Sequence, residues 1–224
     1  MYTRRMQIEQ HVREHATIYV FMVILFLTGV IFGAIIVNSM SFVQKQDLFF
    51  YLERYFGQII DGQQVENSSI FISSFFYHVR YLLLLFILGL SVIGLPLVWI
   101  LLFLKGLVVG FSVGFIVNQL GIKGLLLASL SIAPQNIIII PIYVVAGSLS
   151  MIFSLKLLGK LFSRKVSLPI LQPFGSYVMI FSILIVVSLI AAAVETFVAN
   201  GAMQSLIKSF YTELTALTAS NASP

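Results

Sequence analysis

The stretch ASLSIAPQNIIIIPIYVVAG, residues 128–147, decides how this chain is read. It is apolar enough to lie inside a membrane, yet it holds two prolines, Pro134 and Pro141, and between them the polar pair Gln135 and Asn136. Each proline removes a backbone donor and crowds the carbonyl four residues back. In lipid, those freed groups must find partners within the protein. The segment is therefore expected to be a kinked or broken helix packed against other helices, with the rest of the chain forming the bundle that shelters it.

Composition points the same way. The 224 residues are 59% hydrophobic and 9% charged, whereas a soluble domain carries roughly a quarter charged residues. No Asp or Glu occurs between Glu66 and Glu195. The apolar residues run continuously instead of alternating, which excludes a transmembrane β-barrel. The expected fold class is all-α: a polytopic integral membrane helical bundle of about five transmembrane helices, the fourth kinked at Pro134 and Pro141. The chain has no cysteine, so disulfides and thiolate chemistry are excluded. The basic N-terminal residues lead into a long apolar run without a small-residue cleavage site, so this first span is expected to be retained.

Span one takes residues 16–37. Its Gly29 and Gly33 permit close helix approach; a packing face is the plainer reading and a dimer motif the alternative. Residues 38–79 form the one long hydrophilic connection. Within it, 46–60 reads as an amphipathic helix with Leu48, Leu52, Tyr55, Phe56 and Ile59 on one face. That helix lies on the membrane or docks a partner, and Phe49, Leu52, Tyr55 and Phe56 are the candidate docking anchors. Asn67 and Ser68 offer an N-cap for the next helix.

Spans two and three are expected at 81–104 and 106–120. Lys105 parts them at a membrane edge, with Gly106 and Gly110 as packing positions behind it, and Lys123 marks the next turn. Span four covers 124–155, with a re-entrant pair of half-helices as the alternative. Lys156, Lys160, Arg164 and Lys165 come after it. Span five covers 174–194. Residues 1–200 thus form one transmembrane bundle domain, and 201–224 a polar C-terminal tail ending in a disordered TASNASP. The distribution of Lys and Arg favours a cytoplasmic N-terminus and an external C-terminus. That arrangement places the amphipathic helix and the tail outside.

Little in the chain speaks for catalysis. There is no HExxH and no pair of acidic residues within the expected spans, so metal-dependent proteolysis lacks ligands. His11, His15 and His78 fall outside those spans or at their edges, and Ser176 has no evident base. No phosphate or dinucleotide fingerprint is present. No cofactor, nucleic acid or small-molecule substrate is expected, and the lipid bilayer is the one partner read from composition. Three polar features remain near the membrane: Gln135 and Asn136, expected to bond between helices; Lys105, able to snorkel at an edge; and Glu195, closing the last span at the outer interface. On this reading no ionisable group lies at the midplane.

The LGLSVIGLPLVWILLFLKGLVVGF stretch, the APQNIIIIPIYVVAG stretch and PFGSYVM with AAAVE near the end resemble the stage II sporulation protein M family of endospore-forming bacteria, over nearly the whole chain. Broader relatives carry a motif like P-H-G-x-x-E-x-P-A at the fourth span. Here Pro134, Gln135, Asn136, Ile139 and Pro141 correspond, so the prolines are kept and the His, Gly and Glu are replaced. The resemblance implies a non-enzymatic anchor or scaffold for a peptidoglycan-degrading complex in engulfment. It implies a site at the sporulation septum and the mother-cell engulfing membrane. It also implies two partners, the cell-wall hydrolases known as stage II sporulation proteins P and D. A small polytopic transporter or channel is the alternative.

Overall fold

The computed structural model of the chain describes residues 13–60, 66–162 and 171–209. Its elements are helical throughout: α1 (Ala16–Ser39), α2 (Phe42–Ile60), α3 (Asn67–Gly89), α4 (Gly94–Ser131), α5 (Ala133–Phe162) and α6 (Leu171–Ala193). Beyond α6 the chain passes through a π-helical stretch, Val194–Ala199, and stays helical to Ser209. Five segments are long and apolar enough to cross a membrane: α1, α3, α4, α5 and Pro173–Ser209. The all-α bundle of five spans is therefore as expected. Arg4, Arg5, His11, Arg164, Lys165, Pro169 and TASNASP lie outside the described residues.

Spans two and three are placed differently. The chain does not form helices at 81–104 and 106–120 parted by Lys105; it forms α3 and α4, joined by a turn at 90–93. Pro96 explains the start of α4. It sits in the first helical turn, where an N–H would have no intrahelical partner anyway. The end of α3 is held by side chains from elsewhere. Ser150 donates to the Leu85 carbonyl at 2.8 Å, Tyr177 to that of Phe86 at 3.0 Å, and Ser154 to that of Ser91 at 2.8 Å. The last carbonyls of a helix lack intrahelical partners, and side chains such as these supply them. Lys105 consequently belongs to the body of α4.

Two close approaches fix α1 against α4. A methyl group at Gly29 or Gly33 would run into the carbonyls of Phe103 or Leu107, and one at Gly106 or Gly110 into those of Phe26 or Val30. Ascending numbers on both helices show that they run parallel. The glycine pair in span one thus serves packing within the chain, and Gly106 and Gly110 complete it. The same register sets Lys105 level with the middle of α1.

Near its end α4 bends at Gly121, the one described residue with positive φ (57°), and the chain folds back there beside Lys123. Residues 124–131, expected to open span four, belong instead to the end of α4 and lead almost directly into α5, so the fourth span begins at Ala133. The interruption is at Ile132, whose N–H still bonds the Ala128 carbonyl at 2.9 Å. Pro134 lies in the first turn of α5, while Pro141 sits inside the helix on an exposed face. The fourth span is the centre of the bundle: 67% of its apolar window is buried, against 22–28% for the other spans. It packs against each of them. Ile139 and Tyr143 of α5 meet Met22, Leu82, Leu85 and Leu102 in the core.

The fifth span does not stop near Val194, nor does the chain turn to a tail at 201. Helix runs on through 209, and its Ile207 packs with Leu127 and Phe56 in a second, smaller core. At the start of α2, Ser41 and Gln44 cap one another, backbone N–H to side chain, at 2.9 and 3.3 Å. This is a reciprocal capping box, legible as S-x-x-Q.

Candidate functional site

The most polar place inside the bundle is built on α3. Ser74 and His78, one helical turn apart, point inward and are 8% and 4% exposed. His78 uses both ring nitrogens. Nδ1 lies 2.7 Å from the hydroxyl of Tyr143 on α5, and Nε2 lies 3.5 Å from Oε2 of Glu195. Ser74 donates to the same carboxylate, and its Oγ is 3.4 Å from His78 Nε2. Glu195 stands in the π-helical stretch, where an extra residue per turn re-aims side chains; such bulges concentrate at functional sites.

Lys105 approaches from α4. Its Nζ donates to the Tyr77 hydroxyl at 3.1 Å. It sits 4.7, 5.1 and 5.9 Å from the ring centroids of Tyr77, Tyr143 and Tyr81. Three aromatic rings thus flank the ammonium, each worth about 0.5–1 kcal/mol at a partly exposed site. Tyr81 is anchored in turn by donating to the Leu101 carbonyl at 2.9 Å. A cavity of about 590 Å³, lined by Ser69, Ile70, Ser73, Ser74, Tyr77 and Glu195, opens beside the cluster.

This arrangement overturns three expectations. Glu195 does not close the last span at an interface; it turns into the bundle toward His78. His78 is not at a span edge but in the middle of α3. Lys105 is not at a membrane edge but level with the middle of α1. Ionisable groups therefore do lie level with the middles of α1 and α3, because the true turn lies at 90–93 and shifts α3 and α4 by about four helical turns. One sequence signal pointed here: Glu195 is the first acidic residue after Glu66 and ends a long acid-free stretch. The roles of Ser74, Tyr77, Tyr81 and Tyr143 had no signal of their own.

The other candidate residues lie apart from this cluster. Asn136 does not bond between helices; its Nδ2 donates to the Ile132 carbonyl of its own segment at 2.7 Å, at the interruption. Gln135 Oε1 is buried with no partner among the described residues. Asn136 and Pro141 line an apolar groove of about 450 Å³ between α4 and α5. On α2, Phe49, Leu52 and Phe56 are half-buried and Tyr55 is exposed. The exposed apolar side chains of α2 also include Phe42, Val43, Phe50 and Tyr51. Among the described residues no three His, Cys, Asp or Glu side chains gather as a metal site would require.

Four apolar helices about a buried central one, with a lysine among three tyrosines and a His–Glu pair between the helices, define a multi-pass membrane protein of the helical-bundle class. The family model for stage II sporulation protein M matches residues 22–200, and the chain belongs to that family. No curated protein and no solved structure matches the chain.

Proposed function

We propose that this protein is the membrane anchor of a peptidoglycan-degrading complex that thins septal wall during engulfment, and that it performs no bond chemistry itself. Family membership over residues 22–200 is the observation that carries the reading. In this reading the protein sits in the sporulation septum and the engulfing membrane of the mother cell. Its partners are the wall hydrolases called stage II sporulation proteins P and D. The N-terminus lies in the cytoplasm, and α2 and the end of the fifth span lie outside. Lys156, Lys160, Arg164 and Lys165 then fall on the cytoplasmic side, as the positive-inside rule asks. An anchor raises the effective concentration of soluble catalytic domains at one membrane. Affinity purification of the tagged protein from sporulating cells tests this. Recovery of wall hydrolases supports it, and their absence from an intact, septum-localised bait counts against it.

A second reading, a small transporter or channel, is favoured by one specific observation. Lys105, His78 and Glu195 sit together inside the bundle beside a hydroxyl-lined cavity, and intramembrane ionisable groups often mark pathways. Ion and solute flux in liposomes holding the purified protein would test it.

A further inference from the structure

Glu195 is the one acidic side chain within the five spans. Such a group is costly in lipid unless it is paired or hydrated. His78 and Ser74 supply partners on one side. On the other, Glu195 keeps 31% of its side chain exposed and lines the cavity with Ser69, Ser73 and Tyr77. Ser69 and Ser73 are themselves exposed on the first turns of α3. Hydroxyls therefore mark a route from the α2 end of the bundle down to the carboxylate. The cleft is open and measures about 590 Å³, room for several waters at roughly 30 Å³ each. Toward the opposite end the way is shut by buried Leu82, Leu85, Tyr177 and Phe181.

We propose that Glu195 and His78 form a proton-binding site within the bilayer, reached by water through the Ser69–Ser73–Tyr77 cleft from the α2 end. The ligand is a proton delivered by that water. Tyr143 holds Nδ1 of the imidazole, which leaves Nε2 facing the carboxylate. One proton is shared between Nε2 and Oε2; a second, taken from water, neutralises the carboxylate and loosens its hold on His78 and Ser74. The titratable and charged groups around the pair are Tyr77 and Tyr81 from α3, Lys105 from α4 and Tyr143 from α5. Arg80 is exposed on α3. A single carboxylate beside Lys105 suits a proton better than a metal cation, which takes several oxygen ligands. The site would operate whether or not the protein anchors hydrolases.

The test uses the full chain in liposomes and dicyclohexylcarbodiimide, an apolar reagent that adds to protonated carboxyl groups in membranes and leaves a stable acylurea. The expected result is an adduct at Glu195, mapped by mass spectrometry, whose yield falls several-fold as the pH is raised, because only the protonated carboxyl reacts. In His78→Gln the yield at the upper pH rises, because the carboxylate loses a donor. The cleft is tested separately on the cysteine-free chain: Ser73→Cys should react with a charged thiol reagent, and lipid-facing Leu83→Cys should not. No adduct at Glu195 at any pH, an adduct indifferent to pH and to His78→Gln, or an unreactive Ser73→Cys would each overturn the proposal.

Discussion

Nε2 of His78 and Oε2 of Glu195 lie 3.5 Å apart, joining the middle of α3 to the π-helical stretch within the fifth span. Ser74 adds a second contact to the same carboxylate, and Tyr177 of the fifth span donates to the Phe86 carbonyl of α3. Removing one partner leaves the other charge or dipole uncompensated, while replacing both with apolar residues costs much less. Glu195→Leu and His78→Leu should each lower the thermal midpoint in detergent. The double variant should recover most of the loss, and an additive double variant would show that the two residues are not coupled.

The α1–α4 seam makes a sharper prediction about packing. Gly106→Ala places a methyl against the Phe26 carbonyl, and the helices can accommodate it only by parting. A loss of more than about 2 kcal/mol is expected, as for overpacked cores. Gly201→Ala meets nothing within 4 Å on a helix and should instead stabilise by about 0.5–1 kcal/mol. Equal effects at the two positions, read from thermal unfolding, would refute the seam.

Within the central span, the two prolines and the asparagine have separable effects. Pro134 occupies a first turn, so Pro134→Ala should change stability by less than about 1 kcal/mol. Asn136→Leu removes the bond to the Ile132 carbonyl and should cost about 1 kcal/mol. Pro141→Ala restores a missing helical hydrogen bond and should leave insertion intact while altering the groove that Pro141 lines. Thermal unfolding in detergent ranks the three.

Docking through α2 divides between its two faces. Phe56 packs with Leu127 and Ile207, so Phe56→Ser should lower stability whatever the partner. Phe50 and Tyr51 are 55% and 66% exposed. Their joint replacement by Ser should leave the thermal midpoint unchanged. If hydrolases dock on this face, it should also disperse them from the septum, as fluorescence microscopy would show.

The span count and the central place of the fourth helix were readable because both derive from hydropathy and from what proline does to a backbone in lipid. Gly29 and Gly33 were readable as a packing face for the same local reason. The boundaries of spans two and three were not. An uncharged run from 81 to 104 looks like one helix, and Lys105 looks like its end. The deciding facts are tertiary: Ser150, Ser154 and Tyr177, far along the chain, satisfy the carbonyls that let α3 stop near Gly89. Once that turn moves, His78 and Lys105 move from the edges to the middle. The meeting of His78 with Glu195 depends on the packing of three helices and on a π-helical turn, none of which leaves a periodic trace. Pro96, readable as a first-turn proline, was the one local sign of the true boundary.

The turn between spans two and three lies at 90–93 and Lys105 lies level with the middle of α1; a bilayer crossed by these helices then holds the whole polar cluster inside it. The chain has no native cysteine, so single-cysteine labelling measures it directly. Ser91 and Leu104 are both exposed on the protein surface, one in the turn and the other beside Lys105. In permeabilised cells, a membrane-impermeant maleimide should label Ser91→Cys readily and leave Leu104→Cys unmodified, because a lipid-facing thiol neither ionises nor meets the reagent. Labelling of Leu104→Cys to the extent of Ser91→Cys would return Lys105 to the membrane edge and contradict the account.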